Sequence, residues 1–382
     1  MLTVFLVLIL MLFVGVPIGF ALMLASFSYV IMDGSLAYSI LTQKFVYGVN
    51  NFTLLAVPFF ILAGQFMNSA GITDRLFGFC KTIIGFIPGG LAHANVVASI
   101  IFAGMSGAAV ADAGGLGTIE IKAMHDDGYD DEFSAAVTGA SSMIGPIIPP
   151  SIPMVIYAVA SGASVAALFA GGFIPGLFMG VTMMGLIYYY AVKRNYPRHS
   201  RPTIREAAKS FYDALPTLIT PAIILGGIFG GIFSPTEAGA IAVAYSLILG
   251  IFVYKSVQWK DVKQVFIDSA YSTASVMLVV MACSMFAWVL AIEQIPVTIG
   301  NFIISIVQNN VPLFLLAVNI FLLFLGCFME PSAAILIVMP MFLPICQQLK
   351  IDLVHFGLVL LLNLMIGLLT PPVGLVLNIM AD

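Results

Sequence analysis

Charge is what this chain of 382 residues has least of. Asp, Glu, Lys and Arg make up 8% of it, against about a quarter of an ordinary soluble domain. Hydrophobic residues supply 61%, and mean hydropathy is +1.10. This balance excludes a water-soluble globule and points to a multi-pass protein in a lipid bilayer, with room for about ten spans of roughly 20 residues. Cysteine is scarce: Cys80, Cys283, Cys327 and Cys346 show neither a disulfide framework nor metal spacing. The four histidines, His93, His125, His199 and His355, do not cluster, so no transition-metal site is expected. Basic runs are rarer still. Six of the 14 Lys and Arg residues lie between Lys193 and Lys209, and nine between Lys193 and Lys263. The run is short and set between apolar segments. It reads as a cytoplasmic linker by the positive-inside rule, and a nucleic-acid partner is not expected. Residues 1–14 carry no basic leader and no small-residue cleavage site, so they read as the start of a retained span.

What the chain does have is two proline pairs inside apolar segments. Met143-Ile144-Gly145-Pro146-Ile147-Ile148-Pro149-Pro150 and Met365-Ile366-Gly367-Leu368-Leu369-Thr370-Pro371-Pro372 share the pattern M-I-G-x-x-x-P-P, one in each half of the chain. Proline lacks an N–H and clashes with the preceding turn, and the glycine loosens that turn further. Each segment therefore reads as two half-helices joined by unwound backbone, over 132–161 and 354–380. Inside a bilayer such backbone survives only where it is buried in protein or lines a wet cavity. Paired broken helices in the two halves of a chain are a pointer to a transport site.

A longer unit precedes each break. Residues 89–123 are too many for one span, and the small residues Gly104-Met105-Ser106-Gly107-Ala108-Ala109 in their middle favour a reversal: a re-entrant hairpin. Residues 311–349 form the second hairpin candidate, with Gly326-Cys327-Phe328-Met329-Glu330-Pro331-Ser332 at its middle. Phe102-x-Gly104 and Phe324-x-Gly326 are separated by the same offset as Met143 and Met365. Counting crossings from the basic linker puts one hairpin mouth inside and the other outside, as an inverted repeat requires. The remaining spans are expected at 2–32 (kinked near Gly15-Val16-Pro17), 52–69, 165–192, 211–233, 238–254 and 266–292. Interfacial helices are expected at 36–51, 74–88 and 297–308. Ser234-Pro235-Thr236-Glu237 fits a capping box. The span 165–192 has no counterpart after the second proline pair, so a further segment of roughly 30 to 45 residues is expected beyond 382.

Helix N-termini present free N–H groups and C-termini free carbonyls. A hairpin tip facing a helix break gathers several such ends at mid-membrane. Carbonyls and hydroxyls suit Na⁺, and N–H groups suit a carboxylate. One Na⁺ site is expected at the first tip and break from Ser106, Gly107, Ala109, Ser142, Gly145 and Pro149. A second is expected from Gly326, Met329, Ser332, Gly367 and Thr370. Substrate contacts are expected from Ser106, Ser141, Ser151, Asn363, Thr370 and Asn378, with Asp112 and Glu330 as acidic support. Glu330 also reads as a helix cap, and Asp112 and Glu120 as internal hairpin contacts. No Lys or Arg lies within about ten residues of either tip or break, so an acid would be held by helix ends, neutral groups and the coupling ion. Each serine taken alone also fits simple close packing.

Gly89-Gly90-Leu91-Ala92, Asn95-Val96-Val97-Ala98-Ser99, Phe102-Ala103-Gly104-Met105-Ser106-Gly107, Ala111-Asp112 and Ile148-Pro149-Pro150-Ser151 together resemble the large membrane subunit of TRAP transporters, the DctM-like family. The similarity runs over essentially the whole chain. It implies an all-α, inverted-repeat, elevator-type membrane protein of the bacterial inner membrane. It also implies Na⁺ as coupling ion, a small four-helix DctQ-like subunit, a periplasmic substrate-binding protein, and a carboxylate substrate such as a C4-dicarboxylate or sialic acid. On that pattern 1–88 is scaffold with interfacial arm helices. Residues 89–161 are transport core with hairpin 1 and broken helix 1. Scaffold spans, the basic linker 193–210 and a second arm helix follow in 162–310. Residues 311–382 are core with hairpin 2 and broken helix 2. A stand-alone Na⁺/carboxylate symporter of the same architecture is the nearest alternative. Gly104-Met105-Ser106-Gly107 also matches the G-x-S-G of intramembrane serine proteases, for which His355 would have to serve as base.

Overall fold

A bilayer offers no water to backbone N–H and C=O groups, so an apolar chain must satisfy them internally. Here helices alone do so among the described residues. The computed structural model describes residues 1–308 and 310–381. Residues 309 and 382, inside the expected ranges 162–310 and 311–382, lie outside the described residues.

The first half runs α1 (Leu2–Phe13), α2 (Ile18–Asp33), α3 (Tyr38–Tyr47), α4 (Ala56–Ser69), α5 (Ile72–Ile84), α6 (Gly90–Ser106), α7 (Ala109–Ala111), α8 (Gly117–Asp126), α9 (Asp131–Ser142), α10 (Ile152–Ser161) and α11 (Val165–Arg194). The second half runs α12 (Ile204–Phe229), α13 (Pro235–Ile248), α14 (Trp259–Ile292), α15 (Ile295–Val307), α16 (Val311–Gly326), α17 (Pro331–Gln348), α18 (Leu353–Gly367) and α19 (Leu375–Ala381). A wide turn over Asp112–Leu116 joins α7 to α8. Among the described residues, six helical segments are long and apolar enough to cross a membrane.

The repeat is visible in where elements begin. The returning hairpin arms start at Ala109 and Pro331, and the broken helices at Asp131 and Leu353, both pairs set apart by the offset that separates Met143 from Met365. Each hairpin packs on its own broken helix, α6 and α8 on α9, α16 and α17 on α18. The second half-helices are exchanged: α10 lies on α17, and α19 lies on α7 and α9. The helix α11, expected with the scaffold, packs mainly on α6, α10 and α18. The other wall is built from α4 on α13, α14 on α2 and α4, and α12 on α5 and α13.

The first span is not one kinked helix. Along α14, Gly19 of α2 faces Leu278 and the Tyr29 hydroxyl donates to Glu293 at 2.7 Å. The ring of Phe5 in α1 packs on Phe286, 6.2 Å between centroids, a level between those two. A continuation of α2 would carry Phe5 about 20 Å the other way at 1.5 Å per residue, so α1 folds back along α2. The reversal is made at Gly15, whose φ of +85° favours glycine. The Ser234 capping box forms as expected: its hydroxyl accepts from Glu237 N–H, and Glu237 accepts from Ser234 N–H at 2.8 Å.

The basic linker closes over the mouth of hairpin 1. Arg194 Nη1 and the Tyr196 hydroxyl both donate to Asp130 Oδ2, at 2.7 and 2.6 Å. The Tyr196 ring stacks on Tyr129, 4.6 Å between centroids. The hydrogen bonds from Tyr196 and Arg194 hold the Asp130 carboxyl below its usual range, and the hydrogen bond to Asp131 raises His125. The signs are opposite. Asp130 contributes stability above the ordinary carboxylate pKa and loses it as pH falls through the lowered one. His125 contributes below its ordinary value and loses it as pH rises through the raised one. Thermal melts across pH should show Tyr196→Phe flattening the acid flank and His125→Gln the alkaline flank. Acid flanks that coincide in wild type and Tyr196→Phe would show that this contact carries no linkage.

Candidate functional site

Each hairpin tip is pinned to its own break by backbone. Helix α6 ends at Ser106 because Gly107 turns to φ +65°, a conformation that costs glycine little. A Cβ on Gly107 would stand 2.6 Å from Pro150 O. Beyond the proline pair, Ile152 N–H donates to Gly107 O at 3.2 Å. Gly145 faces the Ala108 backbone, 3.7 Å from where its Cβ would be. In the second half, Gly326 and Gly367 cross so closely that a Cβ on Gly367 would lie 2.4 Å from Gly326 C. Val373 N–H donates to Cys327 O at 3.1 Å. Both proline pairs, Pro149-Pro150 and Pro371-Pro372, have cis peptide bonds.

Between the two tips and the wall of α4 and α14 lies a cavity of about 490 Å³. Tip 1 contributes Ser106 and Ala109, break 1 contributes Pro146, and tip 2 contributes Glu330 and Ser332. Ser106 Oγ is buried without a hydrogen-bond partner. Glu330 caps α17, accepting from Ala333 N–H at 3.1 Å on one oxygen and from the Ser332 hydroxyl at 2.6 Å on the other. Among the described residues no Lys, Arg or His lines this space. What it offers is hydroxyls, amides, the peptide groups of two tips and one carboxylate. Oxygens of that kind suit a hard monovalent cation, and hydrogen-bond donors suit an oxygen-rich solute.

Several expected residues are placed elsewhere. Ser141 donates to Asn95 Oδ1 at 2.6 Å and to Thr138 O at 3.0 Å, while Asn95 Nδ2 donates to Thr138 Oγ1 at 2.7 Å. This buried knot joins α6 to α9. Ser142 bonds back to Gly139 O at 2.8 Å. Ser151 caps α10, accepting from Met154 N–H and donating to Pro146 O. Asn363 donates to Asn319 Oδ1 and to Val359 O, joining α18 to α16. Thr370 bonds back to Ile366 O at 2.9 Å, Asn378 is exposed, and Met329 packs half-buried against the core. Gly145 and Gly367 lie at the breaks and Pro149 is buried there. Asp112 and Glu120 are each 1% exposed, deep inside hairpin 1. Among the described residues, three cavity residues with polar side chains lie outside the sequence expectations: Gln65 and Asn68 on α4, and Ser272 on α14. Two amides three residues apart on an otherwise apolar span were the available signal, since polar groups at membrane depth are costly without a role.

Hairpins seated on broken helices around one shared cavity define a membrane transporter. The chain belongs to the family described as Tripartite ATP-independent periplasmic transporter, DctM component, which matches residues 5–382. It is 45% identical over 371 residues to the sialic acid TRAP transporter large permease protein SiaM of Vibrio cholerae, covering 97% of this chain and 87% of that one. It is 42% identical over 325 residues to the C4-dicarboxylate TRAP transporter large permease protein DctM of Pseudomonas aeruginosa, covering 85% and 76%. The YdaH transporter of Alcanivorax borkumensis shares the fold at a TM-score of 0.60 and 13% identity, over 90% of this chain and 80% of that one. These relatives are permease proteins and not enzymes, so the protease reading of Ser106 falls away.

Proposed function

We propose that this chain is the membrane-spanning subunit of a Na⁺-coupled, binding-protein-dependent importer of an organic acid in the bacterial inner membrane. The observation that carries the reading is the pair of matching closures, Ile152 to Gly107 and Val373 to Cys327, together with a cavity that no cationic side chain among the described residues lines. An acid entering that cavity needs positive charge from elsewhere. Na⁺ beside each break supplies it and couples the two solutes, since each binds better with the other present. Ser106, Gly107, Ala109, Gly145 and Pro149 would contribute to one ion site, and Gly326, Ser332 and Gly367 to the other. Ser106 and Ser332 also face the acid.

The mobile body is the set of hairpins and broken helices, 89–161 and 311–382, together with α11, which packs on them. Moving that body against the wall of α4 and α14 gives the site alternating access in an elevator manner. A small four-helix subunit completes the scaffold, and a periplasmic binding protein delivers the acid. Relatives carry sialic acid or C4-dicarboxylates in their names, and an acid of this kind is the substrate here.

The test is uptake into vesicles holding the chain, its small subunit and the binding protein. An inward Na⁺ gradient should drive accumulation, and replacing Na⁺ with choline should reduce it to background. Undiminished uptake in choline sinks the coupling. Full-rate uptake by the chain alone moves the assignment to a stand-alone symporter.

A further inference from the structure

Both ends of α5 are tied to polar loops on one side of the molecule. At its start, Ser256 Oγ donates to Ala70 O at 2.8 Å, and the Arg75 guanidinium stands 3.9 Å from the centre of the Tyr254 ring. At its end, His199 N–H donates to Gly85 O at 2.9 Å, and the Arg201 guanidinium stands 5.7 Å from the centre of the Phe86 ring. Both loops belong to the stretch Lys193–Lys263, which holds nine of the 14 Lys and Arg residues and is cytoplasmic by the positive-inside rule. Helix α5 therefore lies along that membrane surface. It turns Ile72, Leu76, Phe77 and Cys80 inward and leaves Lys81 exposed. Phe79 meets Phe211 of α12, 6.0 Å between ring centroids. With Phe86 at Arg201, that contact sets the first turns of α12 antiparallel to α5 and brings Lys81 level with Lys209. Arg205, Lys209 and Tyr212 fall at i, i+4 and i+7, one stripe of α12, and all three are exposed. Among the described residues none of Lys81, Arg201, Arg205 and Lys209 is in an ion pair. Glu206, in their midst, is engaged as a helix cap, accepting from Thr203 N–H at 2.8 Å. Asp213 stands one turn beyond Lys209, toward the apolar part of α12.

We propose that this face, built from the end of α5, the linker and the start of α12, binds the headgroup of an anionic phospholipid of the cytoplasmic leaflet. Its first ground is charge. Four cations without carboxylate partners repel one another, and a phosphate between them turns repulsion into attraction. The guanidinium forks of Arg201 and Arg205 match phosphate oxygens in shape as well as sign. Its second ground is the apolar company these cations keep. Ile204 is 91% exposed and Tyr212 71%, with Ile83 of α5 exposed as well. Aliphatic and aromatic side chains set among Lys and Arg suit the boundary between headgroups and acyl chains. Its third ground is place. Helix α5 runs through Gly85–Gly89 into α6, the inbound arm of hairpin 1, so a lipid held here steadies the joint from which that hairpin hangs.

The experiment melts the chain in nanodiscs, with and without its small subunit, as phosphatidylglycerol replaces phosphatidylcholine in graded steps. A lipid that binds the folded state raises the melting temperature, so the wild type should melt higher as phosphatidylglycerol increases. Arg201→Gln, Arg205→Gln and Lys209→Gln change exposed side chains, and each is read against its own melting point in phosphatidylcholine. Each should raise the phosphatidylglycerol fraction that gives half the rise about fivefold, the attraction of one Lys or Arg to an anionic surface. Lys260→Gln combined with Lys263→Gln, on α14 beyond the other end of α5, should leave that fraction where it was. A melting temperature indifferent to phosphatidylglycerol overturns the proposal. An equal loss in the α14 double variant overturns the site, since the effect would then be diffuse attraction to the whole basic side. A rise seen only without the small subunit overturns it too, and gives the face to that subunit instead. None of these readouts depends on which solute the chain carries.

Discussion

Alanine at Gly367 should abolish uptake and lower thermal stability by about 3 kcal/mol, the upper part of the usual range for overpacking. The added carbon would lie 2.4 Å from Gly326 C and 2.5 Å from Gly326 Cα. Both are backbone atoms, so no side-chain rotation relieves the clash. Hairpin 2 would have to lift from the second break, breaking the Val373 to Cys327 bond. The two glycines predict a ranking. Alanine at Gly326 meets Gly367 Cα at 3.1 Å and should cost less. Alanine at Gly64 of α4, whose Cβ would stand 3.6 Å from Ser106 Cα, makes an ordinary contact and should stay within about 0.5 kcal/mol of wild type. Melting temperature and initial uptake rate, measured on the three variants, check the order. Wild-type behaviour at Gly367→Ala would mean that the tip and the break are not held together.

Much of this crossing was legible in the sequence, because its causes are local. A proline pair after M-I-G breaks a helix whatever surrounds it, and the recurrence of the pattern at one constant offset marks the second copy. The hairpins followed from length and from small residues at their middles. Ser106-Gly107-Ala108-Ala109 and Pro331-Ser332-Ala333-Ala334 look alike but are not equivalent: Ser106 ends the inbound arm and Pro331 begins the outbound one. The repeat is carried by Ala109 and Pro331, where the returning arms start.

What stayed hidden depends on distant partners. The fold-back of α1 on α2 is decided by Phe5 finding Phe286, nearly the whole chain away. Gln65 and Asn68 belong to the site only because α4 passes beside tip 1, with Gly64 allowing the approach to Ser106. A hydroxyl in a list of candidates carries no sign of where it points. Ser106 and Ser332 reach the cavity, whereas Ser141, Ser142 and Ser151 close bonds within or between helices.

Those closed bonds lead to a second large effect. Asn95 with Ser141 ties the inbound arm of hairpin 1 to its broken helix, and Asn319 with Asn363 does the same in the second half. Ser141 and Asn363 hold equivalent places, each two residues before the methionine of its M-I-G motif. Each pair lies where an arm must travel with its break if the two move as one body. Asn95→Ala removes both an acceptor for Ser141 and a donor to Thr138 in a fully buried place, and should cost about 2 kcal/mol. Ser141→Ala should cost about 1 kcal/mol, since Asn95 keeps Thr138. The double variant should fall short of the sum by about 0.5 kcal/mol or more, the coupling expected of one polar network. Asn363→Ala distinguishes strut from ligand. As a strut it lowers the melting temperature and the maximal uptake rate, leaving the half-saturating concentration of the transported solute where it was. A raised half-saturating concentration at unchanged melting temperature would instead put the Asn363 amide in contact with the solute and dissolve the symmetry of the two clamps.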